Sequence, residues 1–438
     1  MAGQTTTTYT NLLKDRYESI LAEQINRKCK LRRLFENRGR KDSVDGAKIV
    51  AGIVTNGSWA AGSPGDSSLP TESYVESEAW NISYKRLVGK IRLERFVIEQ
   101  SRTNAGAFAN AMKLEIAQMM KSIKVIHNRQ LHGDGTGKLA EVASLSGQNI
   151  TMNATYAHGG GINSYCGAGA RHIRVGMVLA VMQGTGTTLR QESLTVTAVN
   201  YTTHVVTVTG TCTGIADGDS VYQQIKTLKY AQNNEWMGIG GCVDDSTFLD
   251  TFQNLARSSY PITKSSVVSN SGSLTALTTT MFDEALHLAD LASGDADIKY
   301  WWSRHEVATV AASLLRANKR YEKSSSMGQG FKQDLSESGF KSDLTFGMDN
   351  DGNPIPLIVD RDASYYWIYG LDPSTFKIWE LTPLKWAEIQ GKTWHLVDGN
   401  DDMQAWAVCF GNMGCLHPHK NVVIRDINMT PQTGYTPS

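Results

Sequence analysis

One long amphipathic helix, ended by a glycine-rich turn, constrains this sequence more than any other feature. Residues 103–138 read TNAGAFANAMKLEIAQMMKSIKVIHNRQLHGDGTGK. Apolar residues in this run recur every three or four positions and so share one helix face: Phe108, Met112, Ile116, Met119, Ile123 and Ile126. At about 1.5 Å per residue, the 29 residues from Thr103 to Leu131 predict a helix roughly 43 Å long. Gly133, Gly135 and Gly137 are expected to end it, because glycine tolerates the left-handed backbone of a helix stop.

The first 41 residues are basic, although the whole chain has no net charge. They hold ten lysines and arginines against four acidic residues, a local net charge of +6, while the chain has 43 residues of each sign. A helix is predicted from about residue 11 to residue 37. Most of the cations follow its first half: Arg27, Lys28, Lys30, Arg32, Arg33, Arg38, Arg40 and Lys41. They form either a solvated face with charges that suit a helix C-terminus, or a surface for an acidic partner such as nucleic acid or a neighbouring subunit.

Residues 42–92 are predicted to form an extended β-hairpin. The stretches 46–54 and 79–94 each have the pattern of a strand. Residues 56–78 between them are rich in glycine, serine and proline, and such a segment cannot form a core of its own. A two-stranded hairpin is only marginally stable in water, so we expect it to lie on another surface, with a neighbouring subunit as the favoured one. Trp59 is the candidate anchor of that contact, unless it packs within its own chain.

The sequence changes character again after the long helix. Residues 150–226 contain short runs of alternating threonine and valine between glycine-containing turns, a pattern typical of half-buried antiparallel strands. They predict a small barrel or sandwich. Residues 236–438 have a mixed α/β pattern, with helices predicted over 280–292 and 304–318 and five strands after them.

Three short motifs suggest binding sites but are better explained as turns or loops. GDGTGK at 133–138 lacks the spacing and the following helix of a nucleotide-binding loop. DNDGNP at 349–354 lacks the glycine and glutamate positions of a calcium loop. Cys415, His417 and His419 are close in sequence, yet zinc needs more well-placed ligands than this run offers. We therefore predict neither a metal nor a cofactor.

The remaining motifs contain no signature of an enzyme. The ten histidines are dispersed, and no nucleophile elbow, H-E-x-x-H motif or paired-carboxylate signature is present. The six cysteines lack disulfide or zinc spacing, which is typical of reduced thiols in a cytosolic chain. We find neither a signal peptide nor an apolar run of the roughly 18 residues that cross a bilayer. The expected product is a soluble protein made in a cytoplasm, without enzymatic activity.

The order of these segments resembles that of tailed-bacteriophage major capsid proteins, which have the Hong Kong 97-like fold. The resemblance rests on a long helix that closes in NR-x-L-x-GDGTGK, after an arm and an extended loop and before a mixed α/β region. It implies an α+β fold with an N-terminal arm, an extended β-hairpin loop, a long spine helix and an axial domain, together with an inserted small all-β domain. The implied divisions are 1–41 for the arm, 42–92 for the extended loop, 93–149 for the peripheral domain with the spine helix, 150–228 for the inserted domain, 229–400 for the axial domain with part of the peripheral domain, and 401–438 for the returning strands and C-terminus.

The resemblance also implies a function. The subunit would assemble in the host cytoplasm into pentamers and hexamers of an icosahedral shell, the virion capsid, around double-stranded DNA. Its expected partners are its own copies, a separate scaffolding protein, a portal, a decoration protein and packaged DNA, but no membrane. The cations named above would face the genome or a neighbour, and the expected intersubunit residues are Trp59, Pro70, Trp80, Phe108 and Met112. The alternatives are an encapsulin-like protein compartment or a soluble ligand-binding protein.

Overall fold

A computed structural model of the chain describes residues 29–38, 40–43, 48–58, 60–63, 69–95, 105–153, 169–184, 188–210, 212–317, 345–388 and 392–429. The helices in these ranges are α1 (Lys30–Arg38), α2 (Ala105–His132), α3 (Ile239–Cys242), α4 (Thr279–Ser293) and α5 (His305–Ala317). The strands are β1 (Arg40–Ser43), β2 (Ile49–Asn56), β3 (Glu76–Ile82), β4 (Lys85–Glu94), β5 (Lys138–Ser146), β6 (Asn149–Met152), β7 (Val178–Met182), β8 (Leu189–Asn200), β9 (Val205–Thr209), β10 (Ser220–Lys226), β11 (Lys229–Tyr230), β12 (Thr251–Phe252), β13 (Leu255–Ala256), β14 (Ser266–Val268), β15 (Tyr300–Ser303), β16 (Thr345–Met348), β17 (Pro354–Val359), β18 (Ile368–Leu371), β19 (Phe376–Trp386), β20 (His395–Leu396), β21 (Asp402–Cys415) and β22 (Val422–Ile424).

A five-stranded sheet carries the long helix. Its strands lie in the order β1-β19-β21-β20, and β4 pairs antiparallel with β21. Helix α2 lies against β4, where Gly89 leaves room for the side chain of Ile123, since a Cβ at position 89 would overlap with it. Ile123 and Leu87 of β4 belong to the same hydrophobic core. The 28 residues of α2 span about 42 Å, so the predicted long helix is confirmed.

The stretch predicted as one strand over 79–94 is two strands in two different sheets. β3 pairs with β2 in a separate hairpin, while β4 joins the five-stranded sheet. The chain changes sheets at Ser83, whose carbonyl oxygen accepts a hydrogen bond from the side-chain amide of Asn412 at 2.9 Å. The Asn412 side chain therefore supplies the hydrogen bond that a neighbouring strand would supply to this carbonyl oxygen inside a sheet. The buried positions are even-numbered in β3, at Trp80 and Ile82, and odd-numbered in β4, from Leu87 onward, so the alternation shifts by one residue where the chain changes sheets.

Strands β5 to β11 form a closed barrel with its own core. The ladder runs β11-β10-β5-β6-β9-β8-β7, and β10 also pairs with β7, which closes six of the strands into a ring. Closure leaves the ring without the unpaired edge of an open sheet. Aliphatic side chains fill the interior, among them Val142, Ile150, Leu179, Val206 and Val221. The sequence predicted either a barrel or a sandwich for this region, and the structure shows a barrel. It begins at Lys138, upstream of the predicted boundary at residue 150.

A six-stranded sheet and two helices form a second large core. The strand order is β14-β22-β18-β15-β17-β16, with parallel pairs β14–β22 and β15–β17. Helix α4 packs on β14 and β22, and α5 packs on β17. The Phe282 ring of α4 stacks on Phe346 with centroids 4.2 Å apart and meets Trp301 edge-on. The two helices predicted in this region are thus confirmed as α4 and α5.

The glycine motif at 133–138 is a turn, as predicted. It joins the end of α2 to β5, and Gly135 and Gly137 have positive φ angles of 81° and 79°. The Asp134 carboxylate accepts hydrogen bonds from the backbone N–H of Thr136 at 2.9 Å and from its hydroxyl at 2.6 Å. These bonds fix the direction in which the chain leaves the helix.

The acidic motif at 349–354 is also a turn, since it joins β16 to β17, which pair antiparallel. The ammonium group of Lys299 donates hydrogen bonds to Asp349 at 2.9 Å and to Asp351 at 2.7 Å. A protein cation therefore lies among the carboxylates that a calcium loop would offer to the ion.

Candidate assembly surface

The hairpin formed by β2 and β3 leaves its outer part uncovered. Its root is buried through Trp80, but Val50 and Val54 on the other face of β2 are exposed. The connecting loop carries Leu69 at 91% exposure and Tyr74 at 77% exposure. Neighbouring exposed apolar side chains of this kind mark an interaction site more often than isolated ones do. The described part of the hairpin thus presents apolar surface that its own chain does not cover.

The root of the hairpin is clamped to the body of the subunit. The Trp80 side chain is 1% exposed, and its ring meets the Phe252 ring edge-on with centroids 5.9 Å apart. The backbone N–H of Asn81 donates to the carbonyl oxygen of Gln253 at 3.1 Å. Gln253 and Asn254 form the tight turn between β12 and β13, with positive φ angles of 49° and 73°. An aromatic contact and a backbone hydrogen bond therefore hold the projecting hairpin from below.

A buried charge network supports this clamp. The Asp244 carboxylate accepts hydrogen bonds from Arg257 at 3.3 Å and from Arg425 at 2.5 Å, and the side chains of all three residues are fully buried. Asp245 accepts from Arg425 at 3.1 Å. Burial opposes ionisation of Asp245, but the charge of Arg425 lowers its pKa below the ordinary value. The Arg257 guanidinium also lies over the Phe252 ring, 4.5 Å from its centroid, and so links the network to the clamp.

The last turns of helix α2 are polar and yet buried. All six residues from His127 to His132 are buried. Arg129 forms an ion pair with Glu235, which follows the barrel in sequence. The side-chain amide of Asn128 donates to two carboxylates of the β17–β18 connection, to Asp360 at 3.2 Å and to Asp362 at 2.8 Å. One helix end therefore connects the barrel exit with the six-stranded sheet.

Two histidines at this helix end accept hydrogen bonds through a ring nitrogen. His132 Nδ1 donates to the carbonyl oxygen of Asn128 at 2.8 Å, and His132 Nε2 accepts from the indole N–H of Trp302 at 3.0 Å. His127 Nε2 accepts from the guanidinium of Arg32 at 2.9 Å. Burial, with the charge of Arg32, lowers the pKa of His127 to about 3. A protonated imidazole could not accept either bond.

Helix α1 is fixed to the body by both apolar and charged contacts. The Phe35 ring stacks on Phe376 of β19 with centroids 4.5 Å apart. Arg32 forms an ion pair with Glu380 of the same strand. The ammonium group of Lys30 donates to a backbone carbonyl oxygen of β17 at 3.1 Å. Residues 30–38 are therefore an integral layer of the subunit.

The cations predicted to face the genome or a neighbour fall into three groups. Lys30 and Arg32 are half-buried and contact their own chain, whereas Arg33 and Arg38 are exposed. Arg27, Lys28 and the side chains of Arg40 and Lys41 lie outside the described residues.

The predicted intersubunit residues also differ in their surroundings. Pro70 is exposed in the hairpin loop. Trp80 is covered by its own chain and anchors the hairpin root. Trp59 lies outside the described residues, as do the side chains of Phe108 and Met112, although the backbone there belongs to α2.

Sequence reasoning missed the residues that hold this surface together. Asp244 and Arg425 lie 181 positions apart, so no local spacing reveals their contact. The polar end of α2 did leave a signal, because the run HNRQLH continues the helix beyond its apolar stripe. A polar run that stays helical up to a tight turn indicates buried partners when the helix lies inside a subunit.

No three side chains of the metal-ligating types lie together in the part of the chain that the structure describes. His419 Nδ1 makes a hydrogen bond with the carbonyl oxygen of Ile262 at 3.1 Å, and the Cys415 thiol contacts the Thr375 hydroxyl at 3.6 Å. None of the described helices combines the length and the apolar content needed to cross a bilayer.

The chain is similar in structure to the cyanophage A-1(L) capsid asymmetric unit, with 12% sequence identity, a TM-score of 0.54 and coverage of 97% of this chain and 99% of that chain. The chain has a phage capsid fold. Lower TM-scores relate it to the capsid of the native GTA particle (8% identity, TM-score 0.48, coverage 98% and 100%) and to the holo-SrpI encapsulin complex from Synechococcus elongatus PCC 7942 (8% identity, TM-score 0.46, coverage 100% and 100%). No family model and no curated protein sequence matches the chain.

The predicted α+β phage capsid fold is therefore confirmed. Within this fold, α2 is the helix predicted as the spine, and β2 with β3 is the hairpin predicted as the extended loop. The clamp, the charge network and the polar helix end all lie where these two elements meet the rest of the subunit.

Proposed function

We propose that this chain is the major capsid protein of a tailed bacteriophage. Copies of it form the pentamers and hexamers of an icosahedral shell, the virion capsid, around double-stranded DNA. One observation carries the proposal: on a phage capsid fold, a hairpin is clamped at its root and uncovered beyond it. The role is structural and involves no enzymatic step.

Burial of the uncovered hairpin favours association of the subunits. Full burial of a leucine-sized side chain stabilises by about 1.5–3 kcal/mol relative to exposure. Leu69, Tyr74 and Val75 are all exposed on the described loop, so covering them contributes several kcal/mol per subunit on this scale. Identical copies supply the cover without a second protein, and closed symmetry repeats the contact around the shell.

The clamp at the root makes this association more favourable. A segment that is already ordered loses less conformational entropy when it binds. Trp80, Phe252 and the backbone bond from Asn81 fix the direction of the hairpin before any partner arrives. The hairpin is thus pre-organised at its base and leaves its outer surface for a neighbour.

The basic N-terminal region is the proposed contact with packaged DNA. Residues 1–41 have a net charge of +6, and Arg33 and Arg38 are exposed in the described part. Arginine and lysine bind phosphate groups without reading the base sequence. A scaffolding protein, a portal and a decoration protein are the further partners that this function calls for.

The proposal is tested by expressing the full chain and examining it by sedimentation and electron microscopy. We expect icosahedral particles, and particles from infected cells should contain DNA. Particles that enclose other proteins and no genome would favour an encapsulin-like compartment. A stable monomer under all assembly conditions, including the presence of its scaffolding protein, would overturn the proposal.

A further inference from the structure

A basic and apolar tip projects from the barrel. Strands β10 and β11 are joined by Thr227 and Leu228, with Lys226 and Lys229 opposite each other in the ladder. All four residues are exposed, as is Ile225, and the exposed fractions of Ile225 and Leu228 are 67% and 66%. Within the described residues neither lysine has an ion-pair partner. We call residues 225–229 the barrel tip.

The barrel tip contains a leucine whose backbone conformation is unfavourable. Leu228 has a positive φ angle of 57°, a conformation that glycine or asparagine adopts much more readily in a tight turn. The leucine gains no burial in return, since its side chain is exposed. Unfavourable backbone angles in bulky residues persist where the surroundings fix them and concentrate at functional sites. A glycine would suit the turn better, so the apolar side chain itself is the feature that needs an explanation.

The turn is also held rigidly from below. One oxygen of the Glu192 carboxylate accepts three hydrogen bonds, from the Leu228 backbone N–H at 3.1 Å, the Gln224 side-chain amide at 3.1 Å and the Tyr230 hydroxyl at 3.0 Å. Gln224 in turn accepts from the backbone N–H of Ser193 at 2.6 Å. A tip fixed in this way loses little freedom when a partner covers it.

The hairpin loop has the opposite charge and a matching apolar content. Residues 69–78, which are the end of the connecting loop and the first three residues of β3, read LPTESYVESE, with three glutamates and no basic residue. We include these three strand residues in the term hairpin loop. Leu69, Tyr74 and Val75 are exposed there, and the Tyr74 hydroxyl donates to Glu72 at 3.0 Å. The exposed glutamates Glu72 and Glu76 flank Tyr74 and Val75 in sequence, as Lys226 and Lys229 flank Leu228.

We propose that the barrel tip of one subunit receives the hairpin loop of a neighbouring copy. This inference rests on the proposed shell-forming function and specifies one of its contacts. Each chain carries one loop and one tip, so every subunit gives one contact and receives one, the arrangement that closes rings. Opposite charges select the register of the contact, and the apolar side chains between them exclude water.

Nucleic acid is a poorer occupant of the same tip. A phosphate backbone binds to clustered cations, whereas the barrel tip places two lysines around two large aliphatic side chains. An acidic and apolar protein segment satisfies both features of the tip at once.

Charge reversal tests the contact. The variants are K226E/K229E at the tip, E72K/E76K in the loop, and all four changes together in the full chain. We expect each pair alone to lower the yield of sedimenting particles about tenfold or more, since facing like charges are strongly disfavoured, and the four changes together to restore it. The control K385E/K392E alters two other exposed lysines and should leave the yield unchanged. Unchanged melting temperatures of the free subunits show that the fold is intact.

Disulfide trapping gives a second readout that does not depend on yield. We expect particles of V75C/L228C to show covalently linked subunits on a non-reducing gel. The single variants control for the native cysteines, and V75C/L291C pairs the loop with an equally exposed leucine on α4. If K226E/K229E gives a normal yield of particles and V75C/L228C forms no crosslink, this contact is overturned and the shell function stands. Normal yield with loss of bound DNA overturns it too, in favour of a nucleic-acid surface. Failure of the unaltered chain to form particles under all assembly conditions, including the presence of its scaffolding protein, overturns both proposals.

Discussion

Arg32 donates a hydrogen bond from Nη1 to Nε2 of His127 at 2.9 Å, and this bond joins helix α1 to helix α2. The acceptor nitrogen exists only while the imidazole is neutral. The other ring nitrogen, Nδ1, has no hydrogen-bond partner among the described residues. Burial and the positive charge of Arg32 together lower the pKa of His127 to about 3. We therefore expect the contact between α1 and α2 to be sensitive to acid.

We expect the folded subunit to lose stability as the pH falls below about 6.5, the ordinary pKa of histidine. Between this pH and the folded pKa of about 3, the unfolded chain binds the proton and the folded chain does not. The contribution of His127 is therefore complete above this window and declines through it, by about 2 kcal/mol at pH 5. Urea unfolding near pH 7.5 and near pH 5 measures the loss.

The variant His127→Gln isolates this effect, because its amide oxygen can still accept from Arg32. Its free energy of unfolding should fall less between the two pH values than that of the unaltered chain. The control His287→Gln changes an exposed histidine of α4 and should behave like the unaltered chain. Equal losses in all three proteins would rule out His127 as the acid-sensitive group.

The charge network under the hairpin should be costly to break. In Asp244→Asn, the buried guanidinium groups of Arg257 and Arg425 lose the charge that they share. Removing one partner of a buried network costs about 3–5 kcal/mol. The matched control is Asp401→Asn, whose pair with Arg95 is exposed to solvent, and there we expect less than about 1 kcal/mol. Chemical denaturation compares the two, and similar losses would show that the network contributes little.

The glycine turn after α2 should tolerate no side chain at Gly137. Its φ angle is +79°, and a Cβ there would overlap with the carbonyl oxygen of Ala231. Gly147 has a φ angle of +61° but open space around the Cβ position. We expect Gly147→Ala to cost about 1–2 kcal/mol from backbone strain alone. Gly137→Ala should cost about 1–3 kcal/mol more, because the overlap adds to that strain. Equal losses in thermal unfolding would contradict the close approach of Ala231.

Local patterns in the sequence predicted the parts of the fold that depend on local residues. The apolar stripe with Ile123 and Ile126 predicted helix α2, and Gly135 and Gly137 predicted its stop, because periodicity and backbone freedom are read from neighbours in sequence. The sequence did not distinguish a barrel from a sandwich, because the barrel closes only through the pairing of β10 with both β5 and β7. No alternation along one strand specifies which second strand it joins.

The candidate surface was predicted less completely than the fold. The hairpin was recognised, but the contact of Trp80 with Phe252 was missed, because Phe252 comes from a distant part of the chain. The buried partners of Asn128 were missed for the same reason, since Asp360 and Asp362 lie more than 200 positions away. Side chains that pair across such separations leave no mark on a single sequence.

The most direct test of the central claim removes the uncovered part of the hairpin. Asn56 and Glu76 face each other at its outer end, so residues 57–75 can be replaced by Asn-Gly, which closes two antiparallel strands in a tight turn. Particle formation is then measured by sedimentation and electron microscopy, and folding by thermal unfolding. We expect a subunit that melts cooperatively near the temperature of the unaltered chain and forms no closed shells. Normal icosahedral particles from this variant would contradict the claim that the hairpin completes its contacts on a second copy.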